Sequence, residues 1–177
     1  MTSLEYKRAQ SKALCHQLFS LSLLEHLCLE TKEVDVIGVS NYEISHLQEM
    51  KKWLDDGKIK TMPHINQVEF HPMCQQKRLL EFCREHGIAL QAYSSLGSAG
   101  SHEKPNVLLN HEVVKAVADD IGKTLAQVLL RWGLQSGAAC CLPRSRNEDH
   151  IASNIDIFDF ELSEKHMSML NELGSDG

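Results

Sequence analysis

Leu79-Leu80-Glu81-Phe82-Cys83-Arg84-Glu85-His86-Gly87-Ile88-Ala89-Leu90-Gln91-Ala92-Tyr93-Ser94-Ser95-Leu96-Gly97-Ser98 is the stretch on which the fold turns. Leu79, Leu80 and Cys83 share one face of a helix, and Gly87 stands where a helix ends in a left-handed residue. The run Ile88 to Tyr93 follows at once. It is short, apolar and bounded by polar residues, as a buried strand is. The loop Ser94 to Ser98 closes it. A helix feeding directly into a buried strand is the repeating unit of a parallel α/β sheet, whose crossovers are right-handed.

The same rhythm extends both ways. Upstream, Val34 to Val39 reads as a strand, and Ile44, Leu47, Met50 and Leu54 recur at helical spacing up to Gly57. Ile65 to Phe70 reads as the next strand. Downstream, Asn110 can cap a helix striped by Val113, Val114, Val117 and Ile121. Thr124 and Gln127 form a capping box for a second, with Leu125, Val128, Leu129 and Trp132. Ala138 to Leu142 reads as a fourth strand, ended by Pro143. A short helix around Ile151 and one from Ser163 with Met167, Leu170 and Leu173 complete the pattern. Ser98 to Asn110 reads as a surface linker. Residues 1–33 stand outside the rhythm as an unassigned segment, helical or poorly ordered, and residues 34–177 form the α/β part.

Composition removes several function classes. The chain has 177 residues, 18 Lys+Arg against 24 Asp+Glu, and a net charge of −6. No clustered basic face offers itself to nucleic acid phosphates. The longest apolar patch, Leu18 to Leu24, is too short to span a membrane, so no membrane partner is expected. Six cysteines without a CxxC pair read as thiols of a reducing compartment, the cytoplasm. The ten histidines form no HxxxH or HExxH pair, so no metal site is expected. The length also falls short of the roughly 200 to 250 residues of an eight-stranded α/β barrel.

In parallel α/β folds, ligands gather at the carboxyl ends of strands, beside helix N-termini. Those ends deliver Ser40 and Asn41; then Gln67, Glu69 and His71; then Tyr93, Ser94 and Ser98; then Arg144, Ser145, Arg146 and Asn147. Amides and hydroxyls can fix a polar ring, a tyrosine can stack on it, and arginines beside a helix N-terminus can hold phosphate. Each also has a plainer reading. Ser40-Asn41 makes an ordinary cap or turn, Tyr93 packs a strand edge, Arg144 and Arg146 form a solvated pair, and His71 before Pro72 shapes a turn. Cys140 and Cys141 read as buried hydrophobes.

The motifs behind these ends resemble the aldo-keto reductases, NADPH-dependent (β/α)8-barrel carbonyl reductases. They are IGVSN at 37–41, NQVEFHP at 66–72, LLEFCREHGI at 79–88, AYSSLGS at 92–98, GKTLAQVLLRW at 122–132, LPRSRN at 142–147 and FDFELS at 158–163. Their collinear order is the specific part. The resemblance implies an α/β fold, about four parallel strands of a half (β/α)8 TIM-type barrel, namely its C-terminal half. It implies NADP(H) as cofactor. Ser40, Asn41 and Gln67 would bond the nicotinamide carboxamide, and Tyr93 would stack on the ring. Ser94, Leu96 and Ser98 would line the pyrophosphate. Arg144, Ser145, Arg146, Asn147 and Asn154 would form the adenosine phosphate end, with Arg144 in place of the family's lysine. Ser95 replaces the loop proline of the family, His150 its arginine and Ser153 its glutamate.

The family's catalytic Tyr, Asp, Lys and His come from the first half of the barrel, and no catalytic residue is assigned in this chain. Tyr6 and Lys7 lack the strand contexts of that tetrad. The expectation is a truncated oxidoreductase, inactive alone, whose complete relative reduces a small carbonyl substrate. The alternative is a non-catalytic cofactor-binding or regulatory isoform. A half barrel leaves two sheet edges through which copies can self-associate.

Overall fold

The computed structural model describes residues 20–97 and 106–174. The chain divides into two compact units, Met1–Ile65 and Asn66–Gly177. The architecture is α/β, with four parallel strands and flanking helices among the described residues.

In the first unit a helix, α1 (residues 20–25), continues into a π-helical turn, His26–Glu30. Glu25 is buried, and its Oε1 accepts from the N–H groups of Lys60 at 2.6 Å and Thr61 at 2.8 Å. One carboxylate thus satisfies two donors that would otherwise be stranded away from water. Strand β1 is Gly38–Ser40 and helix α2 is Ile44–Asp55. The strand is shorter than the apolar run that announces it. Ladder-like bonding starts at Ile37, which exchanges bonds with His64: N–H to Nδ1 at 3.2 Å, and His64 N–H to its carbonyl at 2.8 Å. Val34 and Val36 precede this and stay exposed, so β-branching there reports propensity without pairing. Helix α2 buries Leu47, Met50 and Trp53, so Trp53 takes the core position expected of Leu54.

The second unit contains β2 (Ile65–Glu69, counted from Asn66), β3 (Ala89–Tyr93) and β4 (Cys140–Cys141), neighbours in that order. Strands β3 and β4 are parallel, Gln91 opposite Cys140 and Ala92 opposite Cys141. Alternation assigns the two faces. Asn66, Val68, Leu90 and Ala92 are buried, whereas Gln67, Glu69, Gln91 and Tyr93 are half-buried. Helix α3 (Lys77–Glu85) buries Leu79 and Cys83.

Helices α4 (Glu112–Ile121) and α5 (Leu125–Gln135) follow. Asn110 does not cap α4. Its amide donates to the Asn106 carbonyl at 2.9 Å, and His111 caps instead, Nδ1 accepting from Val113 N–H at 3.2 Å. The capping box of α5 forms as read: Thr124 Oγ1 accepts from Gln127 N–H at 3.2 Å, and Gln127 Oε1 from Thr124 N–H at 2.9 Å. Strand β4 is confined to two residues of the expected five, although Leu142 N–H still reaches the Ala92 carbonyl at 2.9 Å. Pro143 has no N–H to extend the ladder. Helix α5 meets this strand closely enough that a Cβ on Gly133 would lie 2.8 Å from Cys141 Sγ. Helices α6 (Glu148–Ile155) and α7 (Glu164–Asn171) complete the unit, and Ser163 Oγ caps α7 through His166 N–H at 3.2 Å.

Candidate functional site

The carboxyl end of β3 is built by three consecutive devices. Ser94 adopts φ +49°, turning the chain off the strand immediately after Tyr93. Ser95 is buried and its Oγ donates to the Ala92 carbonyl at 3.0 Å. That bond gives the loop a local restraint where the family pattern has a proline. Gly97 N–H then donates to the Ser94 carbonyl at 2.7 Å, closing a tight turn. From the far side Asn106 braces the turn, its Nδ2 donating to the Leu96 carbonyl at 2.8 Å and its Oδ1 accepting from Leu109 N–H at 2.9 Å. Leu108 is 2% exposed, so this end of the expected linker is anchored. Ser98 lies outside the described residues.

Beside it, Gln67 on β2 donates from Nε2 to Gln91 Oε1 at 2.6 Å. Gln91 in turn donates from Nε2 to Cys140 Sγ at 3.2 Å. Gln67, Gln91 and Tyr93 therefore occupy one face of adjacent strands. Gln91 was not among the residues read from sequence. The available signal was its position two residues before Tyr93, on the same face by strand periodicity.

After β4, Arg144 and Arg146 are exposed and Ser145 is half-buried between them. Asn147 N–H donates to Ser145 Oγ at 3.1 Å. Asn147 is the N-cap of α6, its Oδ1 accepting from Asp149 N–H at 2.8 Å and His150 N–H at 3.2 Å. Glu148 and Asp149 occupy the first turn of that helix. The positive potential at that helix end is thus already met by a cap and two carboxylates, and the exposed guanidinium groups of Arg144 and Arg146 lie in the loop just before it. Asn154 is half-buried and lines a cavity of about 350 Å³ with Leu130, Leu134, Cys140, Cys141 and Phe158. Ile151, Ile155 and Phe158 beside it are exposed. In the first unit, Ser40 ends β1 and Asn41 follows in the left-handed region at φ +59°.

Two thiols near these ends, Cys141 and Cys74, are held in the protonated form. Burial pushes Cys141 up, opposed in part by its hydrogen bonding with Ser95. Burial, then the charge of Glu69, pushes Cys74 up. A raised thiol is a poor nucleophile at neutral pH. His71 shapes its turn as expected, with Nδ1 accepting from Met73 N–H at 3.2 Å and Nε2 3.1 Å from Glu69 Oε1. Among the described residues no group of three His, Cys, Asp or Glu could hold a metal ion. No described helix is long and apolar enough to cross a membrane. What the strand ends offer is a set of binding groups: side-chain amides, one aromatic face, a backbone turn and two guanidinium groups. That set suits a ligand with a polar ring at one end and phosphate at the other.

The model of the aldo/keto reductase family matches residues 24–175. Glyoxal reductase of Bacillus subtilis is 42% identical over 153 residues, covering 86% of this chain and 50% of that protein. NADPH-dependent D-xylose reductase of Meyerozyma guilliermondii is 40% identical over 152 residues, covering 82% and 46%. The apo crystal structure of Gox0644 superposes with a TM-score of 0.79 at 30% identity, covering 93% of this chain and 55% of that one. The chain spans about half the length of the curated relatives it matches.

Proposed function

The chain belongs to the aldo/keto reductase family, and from that premise we propose that it carries the cofactor-binding portion of an NADP(H)-dependent carbonyl reductase. The observation behind this reading is the shared face of β2 and β3, where Gln67 lies mid-strand against Gln91 and Tyr93 ends β3 at the braced Ser94–Gly97 turn. Gln67 would bond the nicotinamide carboxamide and Tyr93 would stack on the ring, with Ser40 and Asn41 taking the carboxamide role their motif implies. Ser94, Leu96 and Ser98 would line the pyrophosphate. Arg144, Ser145 and Arg146 would hold the adenosine 2′-phosphate, Asn147 would order that loop as a cap, and Asn154 would belong to the same end of the cofactor site. Bound NADPH would supply the hydride that converts an aldehyde or ketone to an alcohol.

The motifs present here account for binding, and none supplies the acid that protonates the developing alkoxide. Losing such a group costs roughly 100- to 10,000-fold in rate. This chain alone is therefore proposed to bind the cofactor without turning over a small carbonyl substrate. Five free cysteines among the described residues fit a reducing compartment such as the cytoplasm. The exposed Ile151, Ile155 and Phe158 beside β4 favour self-association along that sheet edge. Fluorescence titration with NADPH, followed by NADPH oxidation over a panel of aldehydes, tests the reading. Saturable binding without oxidation is expected. Turnover by the pure chain overturns the inactivity, and absence of binding overturns the cofactor assignment.

A further inference from the structure

We infer that Gln127 and Arg131 are positioning residues for the 2′-phosphate end of the cofactor, acting through α6; this rests on the cofactor reading above. Three side chains of α5, Gln127, Arg131 and Gln135, stand four residues apart on one helix face. Each bonds to the backbone of the segment 156–162, which joins α6 to α7. Gln127 Nε2 donates to the Asp156 carbonyl at 2.8 Å, Arg131 Nη1 to the Ile157 carbonyl at 3.3 Å and Gln135 Nε2 to the Leu162 carbonyl at 3.0 Å. The directions of both amides are fixed. Gln127 Oε1 accepts from Thr124 N–H at 2.9 Å and Gln135 Oε1 from Leu162 N–H at 2.7 Å, and a backbone N–H can only donate, as a backbone carbonyl can only accept. Gln127 is 5% exposed, so water is not at hand to replace a bond lost there.

Helix α6 depends on this seam for its place. None of its residues is buried, and the cavity of about 350 Å³ is lined by Leu130 and Leu134 from α5 and by Ile151 and Ile155 from α6. Close side-chain packing therefore does little to locate α6 against α5. Its C-terminal end is held where the seam takes up the chain, at Asp156 and Ile157. Its N-terminal end carries the phosphate loop, because Asn147 caps α6 while its own N–H donates to Ser145 Oγ at 3.1 Å, between the two exposed arginines. The helix between them, Glu148–Ile155, is a stiff link of about 12 Å. A loop set in place beforehand loses less freedom when the phosphate arrives.

The test uses the full chain, titrated with NADPH and with NADH at roughly 0.5 M salt, where the screening length is about 4 Å and distant changes of charge are suppressed. Gln127→Glu keeps the acceptor for Thr124 N–H and removes the donor to Asp156. Arg131→Met removes the donor to Ile157. Each should weaken NADPH by about three- to tenfold and change NADH by less than about twofold. Glu161→Ala removes only the exposed partner of Arg131 Nη2, 3.2 Å away, and should leave both affinities as they were. Should Gln127→Glu fail to fold, Arg131→Met carries the same comparison. An unchanged NADPH affinity in a less stable variant makes the seam merely structural and overturns the proposal. So does an equal loss of both cofactors, or the same selective loss in Glu161→Ala, and each of these leaves the cofactor reading standing. If the parent chain binds no NADPH, the cofactor reading fails, and this inference with it.

Discussion

Trp132 Nε1 donates to Asn171 Oδ1 at 2.8 Å while its ring stacks on Phe70 with centroids 5.2 Å apart. Trp132 and Phe70 are each 1% exposed. One side chain of α5 therefore ties the end of β2 to α7, and the indole N–H is satisfied where burial would otherwise make it costly. Asn171 is held in turn, since its carbonyl accepts from Gln75 Nε2 at 2.6 Å.

Trp132→Ala should destabilise the protein by about 3–5 kcal/mol, because a large ring is replaced by a cavity and the Asn171 oxygen loses its donor. Trp132→Phe keeps most of the packing and should cost about 1–3 kcal/mol, chiefly the unpaired acceptor. Urea unfolding followed by far-UV circular dichroism gives both values. Near-equal costs for the two variants would show that the hydrogen bond, not the ring, dominates.

Arg144 and Arg146 frame Ser145 at the end of β4, and both are exposed. If they hold a 2′-phosphate, Arg144→Ala should weaken NADPH by about 10- to 100-fold and leave NADH nearly unaffected, since only NADPH carries that phosphate. The slope of affinity against salt concentration should flatten as well. Parallel titrations of NADPH and NADH at two ionic strengths decide it. A loss shared by both cofactors would place Arg144 elsewhere on the dinucleotide.

Much of this was readable beforehand, and the exceptions have physical causes. β2 and β3 announced themselves because a short apolar run is a property of the local chain, and Gly87 marks where β3 begins. So did Thr124 with Gln127, whose capping box is closed within three residues. The extent of β1 and β4 was not readable. Val34 and Val36 are β-branched, but nothing in their own sequence says whether a partner backbone lies opposite. The cap of α4 passed from Asn110 to His111, because an imidazole Nδ1 can accept from the first turn although asparagine is the commoner cap. Tyr93 and Gln67 were visible as motif residues, although Gln67, read as a strand end, is the middle residue of β2. Gln91 was not, since its bonds to Gln67 and Cys140 run sideways between strands that are distant in sequence.

Gly97 sits at φ +82°, and a Cβ there would lie 2.9 Å from Asn106 Oδ1 and 3.0 Å from Leu108 Cβ. Gly97→Ala thus combines an unfavourable backbone region with displacement of the residue that braces the loop. It should cost about 1–3 kcal/mol. The damage should be local as well as global: Leu109 N–H, which donates to Asn106 Oδ1, should exchange with solvent faster than amides of β3. Hydrogen exchange by mass spectrometry, resolved to this loop, checks it. Unchanged protection at Leu109 would mean that Asn106 shifts without releasing its partners.

The last prediction concerns acid. Lys123 Nζ lies 3.0 and 2.7 Å from the two carboxylate oxygens of Asp159, and 4.8 Å above the Phe160 ring. The hydrogen bond from Lys123 holds the Asp159 carboxyl below the usual range. A carboxyl depressed in the folded state binds protons less readily than in the unfolded chain. Its contribution is present above the unfolded carboxylate pKa, roughly 4, and is lost as pH falls through the lower folded value. Lys123→Met should therefore raise the Asp159 pKa, read directly by carboxyl carbon NMR. Asp159→Asn should lower stability at neutral pH and make no difference once Asp159 is protonated in both states. Comparing midpoints of urea unfolding at pH 7 and below pH 3 separates these. An equal effect at both pH values would mean that Asp159 acts through packing, and that its charge contributes nothing.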